Sequence, residues 1–102
     1  MQVIANLSDM IEEELNDAEK YIKCAMKHKD DNPGLAQTFA KISGEEMNHV
    51  ALLHEQVAAL IAEYRKANGA PPEKMQWVYD YLHKKHMDKA TMIKTMQMIF
   101  KG

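Results

Sequence analysis

Glu46 and His49 stand three residues apart in a long helical pattern. Phe39, Ile42, Glu46, His49, Val50, Leu53 and Val57 follow the i, i+3/i+4 rule and share one face, with Glu46 near its centre and His49 at its edge. A carboxylate on an apolar stripe is costly unless something pairs with it. Glu-x-x-His on an inward helix face lets a carboxylate oxygen and an imidazole nitrogen reach one metal ion. Earlier in the chain a second stripe, Leu7, Ile11, Leu15, Ala18, Ile22 and Ala25, takes in Glu14, three residues after Ile11 and four before Ala18, whereas Glu13 points away from it. Carboxylate oxygens and an imidazole nitrogen turned to one interior offer metal binding.

Three helices must position these groups. The periodicity predicts the first from about Leu7 to Lys29, capped by Asn6 or Ser8, with Glu12, Glu13 and Glu14 suiting the dipole at its start. Asp30-Asp31-Asn32-Pro33-Gly34 is a short turn, and Asn32 as cap with Pro33 at the first helical position opens the second helix. So short a connection makes the first two helices antiparallel neighbours. The second runs to about Ala67, before Asn68-Gly69 and Pro71-Pro72. It is about 50 Å long against about 35 Å for the first, so Leu60, Ile61 and Tyr64 need another cover. Ala40, Gly44, Met47, Ala51, Ala58 and Ala62 form a second face on which another helix could approach closely. The third helix is predicted from about Pro72 to Phe100, with Met75, Val78, Leu82, His86, Lys89, Ile93, Met96 and Phe100 in helical period and Trp77 and Tyr81 on another side. The stretch from Met92 to Phe100 could pack on a second copy.

The composition suits one all-α domain over residues 1–102, and it excludes several classes. A net charge of −2 gives no steering toward nucleic acid or an anionic membrane. No apolar run is long enough to span a bilayer, and no secretion signal opens the sequence. The lone Cys24 makes no internal disulfide, which fits a cytoplasmic location and reads as a small buried hydrophobe. Nine Met point to adaptable packing.

Carboxylate-bridged di-metal sites in four-helix bundles use one Glu from each of two helices and Glu-x-x-His from each of the other two. This chain offers half that set: Glu14, and Glu46 with His49. The third helix has only Glu73, at its start, and no second Glu-x-x-His. Two copies related by a two-fold axis would complete the bundle and the ligands.

The same residues carry a family resemblance. Phe39-x-x-Ile42-x-x-Glu45-Glu46-x-x-His49 resembles the second-helix motif of rubrerythrins and other ferritin-like proteins, and Glu14 with Tyr21 resembles their first-helix motif, 32 residues separating Glu14 from Glu46. The likeness covers roughly residues 7 to 60. The second half of the usual bundle and the Cys-rich rubredoxin-type module are missing, and the third helix has no counterpart. The half-length arrangement is similar to encapsulated ferritins, in which two short chains build one iron site, although no shell-targeting tail is evident. The resemblance implies a homodimer or larger holding two iron ions, with manganese or zinc as substitutes. Glu46 would bridge, Glu14 and His49 would be terminal ligands, and Tyr21 would hydrogen-bond a ligand carboxylate. Fe(II) oxidation by O2, or peroxide reduction, is the implied activity.

Two other readings stand beside it. One is a metal-free helical dimerisation module with a vestigial site, its Glu and His residues paired in a buried network. The other is a single structural zinc at Glu46 and His49 with His83 or His86, both candidates for additional ligands. Glu13, Asp17 and Glu45 read as a solvated face, as do the scattered lysines, and His28 and His54 as structural or surface residues.

Overall fold

The computed structural model describes all 102 residues as three helices, α1 (Gln2–Lys27), α2 (Pro33–Asn68) and α3 (Glu73–Lys101), with no strand. α1 starts five residues before the expected Leu7, at Met1 as cap and with no side-chain hydrogen bond there. Burial explains the extension: Ile4 is 1% exposed and lengthens the stripe of Ile11, Leu15, Ala18, Ile22 and Ala25 by two turns, whereas Leu7 is only half-buried. Asn6 and Ser8 therefore lie inside the helix. No acidic residue occupies its first turn, and Glu12, Glu13 and Glu14 sit too deep to serve the dipole.

The α1–α2 turn forms as its residues dictate. The His28 N–H donates to the Cys24 carbonyl at 3.2 Å and ends α1. Asn32 Oδ1 accepts from the Leu35 N–H at 3.2 Å with Pro33 at the first helical position. α2 stops at Gly69, whose φ of 78° is a left-handed conformation that favours glycine. Pro72 then caps α3.

α1 and α2 pack antiparallel through small residues. Ala18, Ala25 and Ala36 are all but inaccessible to solvent, and Ser43, 0% exposed, donates a 2.7 Å hydrogen bond to the Ala18 carbonyl. Gln97 Nε2 of α3 donates to the same Ser43 hydroxyl at 2.9 Å, so one side chain ties all three helices. Ile93 and Ala90 join Ile11, Leu15, Ala18, Met47 and Val50 in the larger core cluster, and Phe100 joins Ile22, Ala25 and Ala36 in the smaller. α3 is anchored to α1 by charge as well. Lys85 Nζ donates to Glu12 Oε1 at 3.0 Å, and Lys89 reaches Asn16 and, at 3.7 Å, Glu19. The hydrogen bond from Lys85 is the largest cause that lowers the Glu12 pKa, and the same bond raises that of Lys85. These lysines are cross-helix contacts and not merely a solvated face.

The buried stripe of α2 differs from the one periodicity picks out. Its fully buried members are Ala36, Ser43, Met47 and Val50, while Phe39, Ile42, Glu46, Leu53 and Val57 are half-buried and His49 is exposed. A serine and an alanine at the closest approach replace the larger side chains expected there. The second face is divided: Met47 is buried in the larger cluster and Ala40 packs against the smaller, whereas Ala51, Ala58 and Ala62 are exposed and a Cβ at Gly44 would meet nothing within 4 Å. The far end of α2 is covered in part by α3 and the early start of α1, leaving Leu60, Ile61 and Tyr64 half-buried, with Arg65 Nη2 donating to Gln76 Oε1 at 2.6 Å.

The assembly measures 55 × 19 × 17 Å with a radius of gyration of 16.4 Å. A globular domain of this length has a radius of gyration of about 13 Å. The shape is thus a rod, and only 15 of its 102 residues are buried.

Two stability measurements test this packing. Gly44→Ala should stabilise the chain by about 0.5–1 kcal/mol in urea unfolding, because helix propensity improves and nothing is struck; a loss of stability would mean that a second chain seats on this face. Ser43→Ala should cost about 1–2 kcal/mol by leaving Gln97 without its buried partner, and unchanged unfolding would remove Ser43 as the tie between helices.

Candidate metal centre

The antiparallel register that sets Ser43 against Ala18 also sets His49 beside Glu14. His49 Nδ1 lies 3.2 Å from Glu14 Oε2 and 3.8 Å from Glu46 Oε2, and one donor atom of each residue falls within 4.8 Å of the others. The two carboxylates keep 28% and 19% of their side-chain surface exposed and the imidazole 54%. Thus the three groups form a half-open cluster at the α1–α2 groove. Glu14 stands about 200° around α1 from Glu12, which pairs with α3, so the cluster occupies the flank that α3 leaves uncovered.

The donor geometry can be compared with what an ion requires. Oxygen and nitrogen ligands at about 2.0–2.2 Å from a metal stand roughly 3–3.5 Å from one another. The 3.2 Å separation falls in that range, and 3.8 Å needs only a small closing movement. Two carboxylates this close repel by about 1 kcal/mol in water and by several at the lower effective permittivity of a protein surface. A cation or a protonated His49 offsets that repulsion, so the residues suit a metal. Three donors fall short of the six that two bridged ions use.

The remaining sequence candidates lie elsewhere. Tyr21 packs its ring against Phe39, centroids 6.0 Å apart, and makes no hydrogen bond to Glu14 or Glu46. His83 and His86 do not approach Glu46 or His49, which removes the geometric basis of a zinc shared among them. His83 Nδ1 instead meets His54 Nε2 at 3.1 Å. His86 is 5% exposed, and burial first of all holds its pKa below the ordinary histidine range. Its Nε2 has no hydrogen-bond partner.

His54 is the residue whose role spacing within α2 conceals. The α2–α3 connection turns the chain back so that His83 of α3 meets His54 of α2. Cys24 is half-buried and free, and Glu13, Asp17 and Glu45 are exposed.

Comparisons with protein families, curated proteins and solved structures find no match to this chain. No helix is long and apolar enough to cross a membrane.

In metal-free protein Glu46→Gln should leave stability unchanged or raise it by up to about 1 kcal/mol, since it relieves carboxylate repulsion. Chemical unfolding in the presence of chelator measures this, and a loss above about 1 kcal/mol would instead mark Glu46 as a structural partner of His49.

Proposed function

We propose that the chain is a ferritin-like, carboxylate-bridged di-iron protein whose metal site is completed by a second copy. The observation that carries this reading is the convergence of Glu14, Glu46 and His49 on the flank that α3 leaves open. Those are the residue types, in the order and spacing, that half of such a site requires. A two-fold partner laid on this groove supplies the same three groups again, giving four carboxylates and two imidazoles. The groove is suited to burial, since Leu7, Tyr21, Phe39, Ile42 and Leu53 are half-buried along it and Met10 is 48% exposed. The rod shape and small core agree with a chain that gains further burial on pairing.

The roles follow from chemistry and position. Glu46 is the less exposed of the two carboxylates and is the bridging candidate, while Glu14 and His49 serve as terminal donors. The imidazole presents Nδ1 to both carboxylates and fixes their approach. Phe39, its ring tilted against that of Tyr21, adds an apolar border to the groove. Two ferrous ions held there would supply two electrons, the number that O2 or a peroxide takes on reduction to peroxide or water respectively. Fe(II) oxidation and peroxide reduction are the two activities this allows.

A metal-free interaction module is the second reading. It is favoured by the 3.2 Å contact of His49 with Glu14, which already satisfies part of the cluster without an ion.

Metal analysis after anaerobic loading with Fe(II) separates the two. The first reading gives close to two irons per dimer, with light scattering at micromolar concentration reporting a dimer or larger. Glu46→Ala should abolish iron binding and leave a helical protein. Less than a few tenths of an iron per dimer, with thermal stability indifferent to chelator, supports the module. A monomer holding iron pairs would overturn the shared site.

A further inference from the structure

On the other flank of the chain, where α3 meets α2 and the start of α1, three histidines line one cavity of about 300 Å³. His54 of α2 and His83 of α3 bring Nε2 and Nδ1 to 3.1 Å, their rings 5.0 Å apart and inclined at 39°. His86, one turn further along α3, is 95% buried, and its Nε2 finds no partner. Ile11, Val57 and Ile61 supply apolar wall. A nitrogen left unpaired in such surroundings is costly, and three imidazoles lining one cavity exceed what helix packing needs.

We propose that His54, His83 and His86 form a second metal site, for one zinc ion or a late first-row divalent ion of similar preference, separate from the Glu14, Glu46 and His49 cluster. Two imidazole nitrogens on one zinc at about 2.0–2.1 Å stand roughly 3.0–3.4 Å apart, and the His54–His83 separation falls in that range. His86 stands farther from the pair, and joining it on one ion requires its side chain to turn within the cavity. The pair shares one ring proton while it is hydrogen-bonded. Taking a metal moves that proton to the far nitrogen of the same ring, so two neutral imidazoles bind without net proton loss. Three nitrogen donors and no required carboxylate select zinc, nickel or copper over magnesium or calcium. A fourth position would face the cavity, open to water or a small anionic or neutral ligand.

The spacing on α3 agrees with the assignment. His83-x-x-His86 places two imidazoles one turn apart on that helix, and His54 meets the first of them from α2.

The test uses the full chain carrying Glu46→Ala, so that failure of the iron site and failure of this one are read separately. Titration with zinc chloride, followed calorimetrically, should give one zinc per chain. His54→Gln and His83→Gln, both away from the packed core, should each weaken zinc binding by at least about tenfold with the helical circular dichroism unchanged. Zinc should also shift the ring resonances of all three histidines in the nuclear magnetic resonance spectrum. No zinc uptake by the Glu46→Ala protein, or equal uptake by the His54→Gln/His83→Gln double variant, overturns the site. Shifts confined to His54 and His83 overturn the three-imidazole assignment.

Discussion

The contact between α1 and α2 at Ala18 and Ser43 fixes most of what this chain can do. A serine hydroxyl bonded to a backbone carbonyl at 2.7 Å requires the helices to come close, and only small residues allow it. Ala25 and Ala36 share a cluster about two turns away, in the same register. From there the antiparallel geometry leaves no freedom: residues whose numbers sum to the low sixties face one another, which puts Glu14 beside His49. A slip of one turn at Ser43 would move the donors about 5.4 Å out of reach.

Much of this was legible in the sequence, at the level of elements. Asn32-Pro33 and Gly69 mark the ends of α2 because capping and left-handed φ are local properties. The three candidate donors stand out by period and type, and the fold brings them together. The buried stripe of α2 differs for a physical reason. Periodicity ranks side chains by how apolar they are, whereas the fold buries the face that permits the closest approach. On α2 that face is led by Ala36, Ser43 and Met47, and the stripe with Phe39, Ile42 and Leu53 is turned toward the groove. The early start of α1 was hidden because Ile4 lacks a cap signal beside it and is held by tertiary packing alone. Lys85 and Lys89 look like ordinary surface charge until Glu12, Asn16 and Glu19 are seen opposite them. The His54–His83 pair depends on how tightly the α2–α3 connection folds back, which no periodicity within one helix reports.

The charged and apolar parts of the chain divide its two flanks. On one, lysines of α3 answer carboxylates and an amide of α1, so those charges are already engaged. On the other, Glu14 and Glu46 have only the His49 imidazole between them, and apolar residues flank them half in water. A carboxylate pair that no lysine or arginine answers retains attraction for a cation, and a rim of Phe39, Ile42 and Met10 retains apolar area to cover. The two kinds of incompleteness lie on the same groove.

The third helix leans on α1 from the side away from the carboxylates, with Ile93 and Phe100 as its deepest anchors. Its grip meets the register of the acidic groove at one polar point, the Gln97 amide on the Ser43 hydroxyl. Change in the outer lysine contacts can make the chain sturdier or frailer while the oxygen donors keep their spacing, whereas change at Gln97 reaches durability and donor register together.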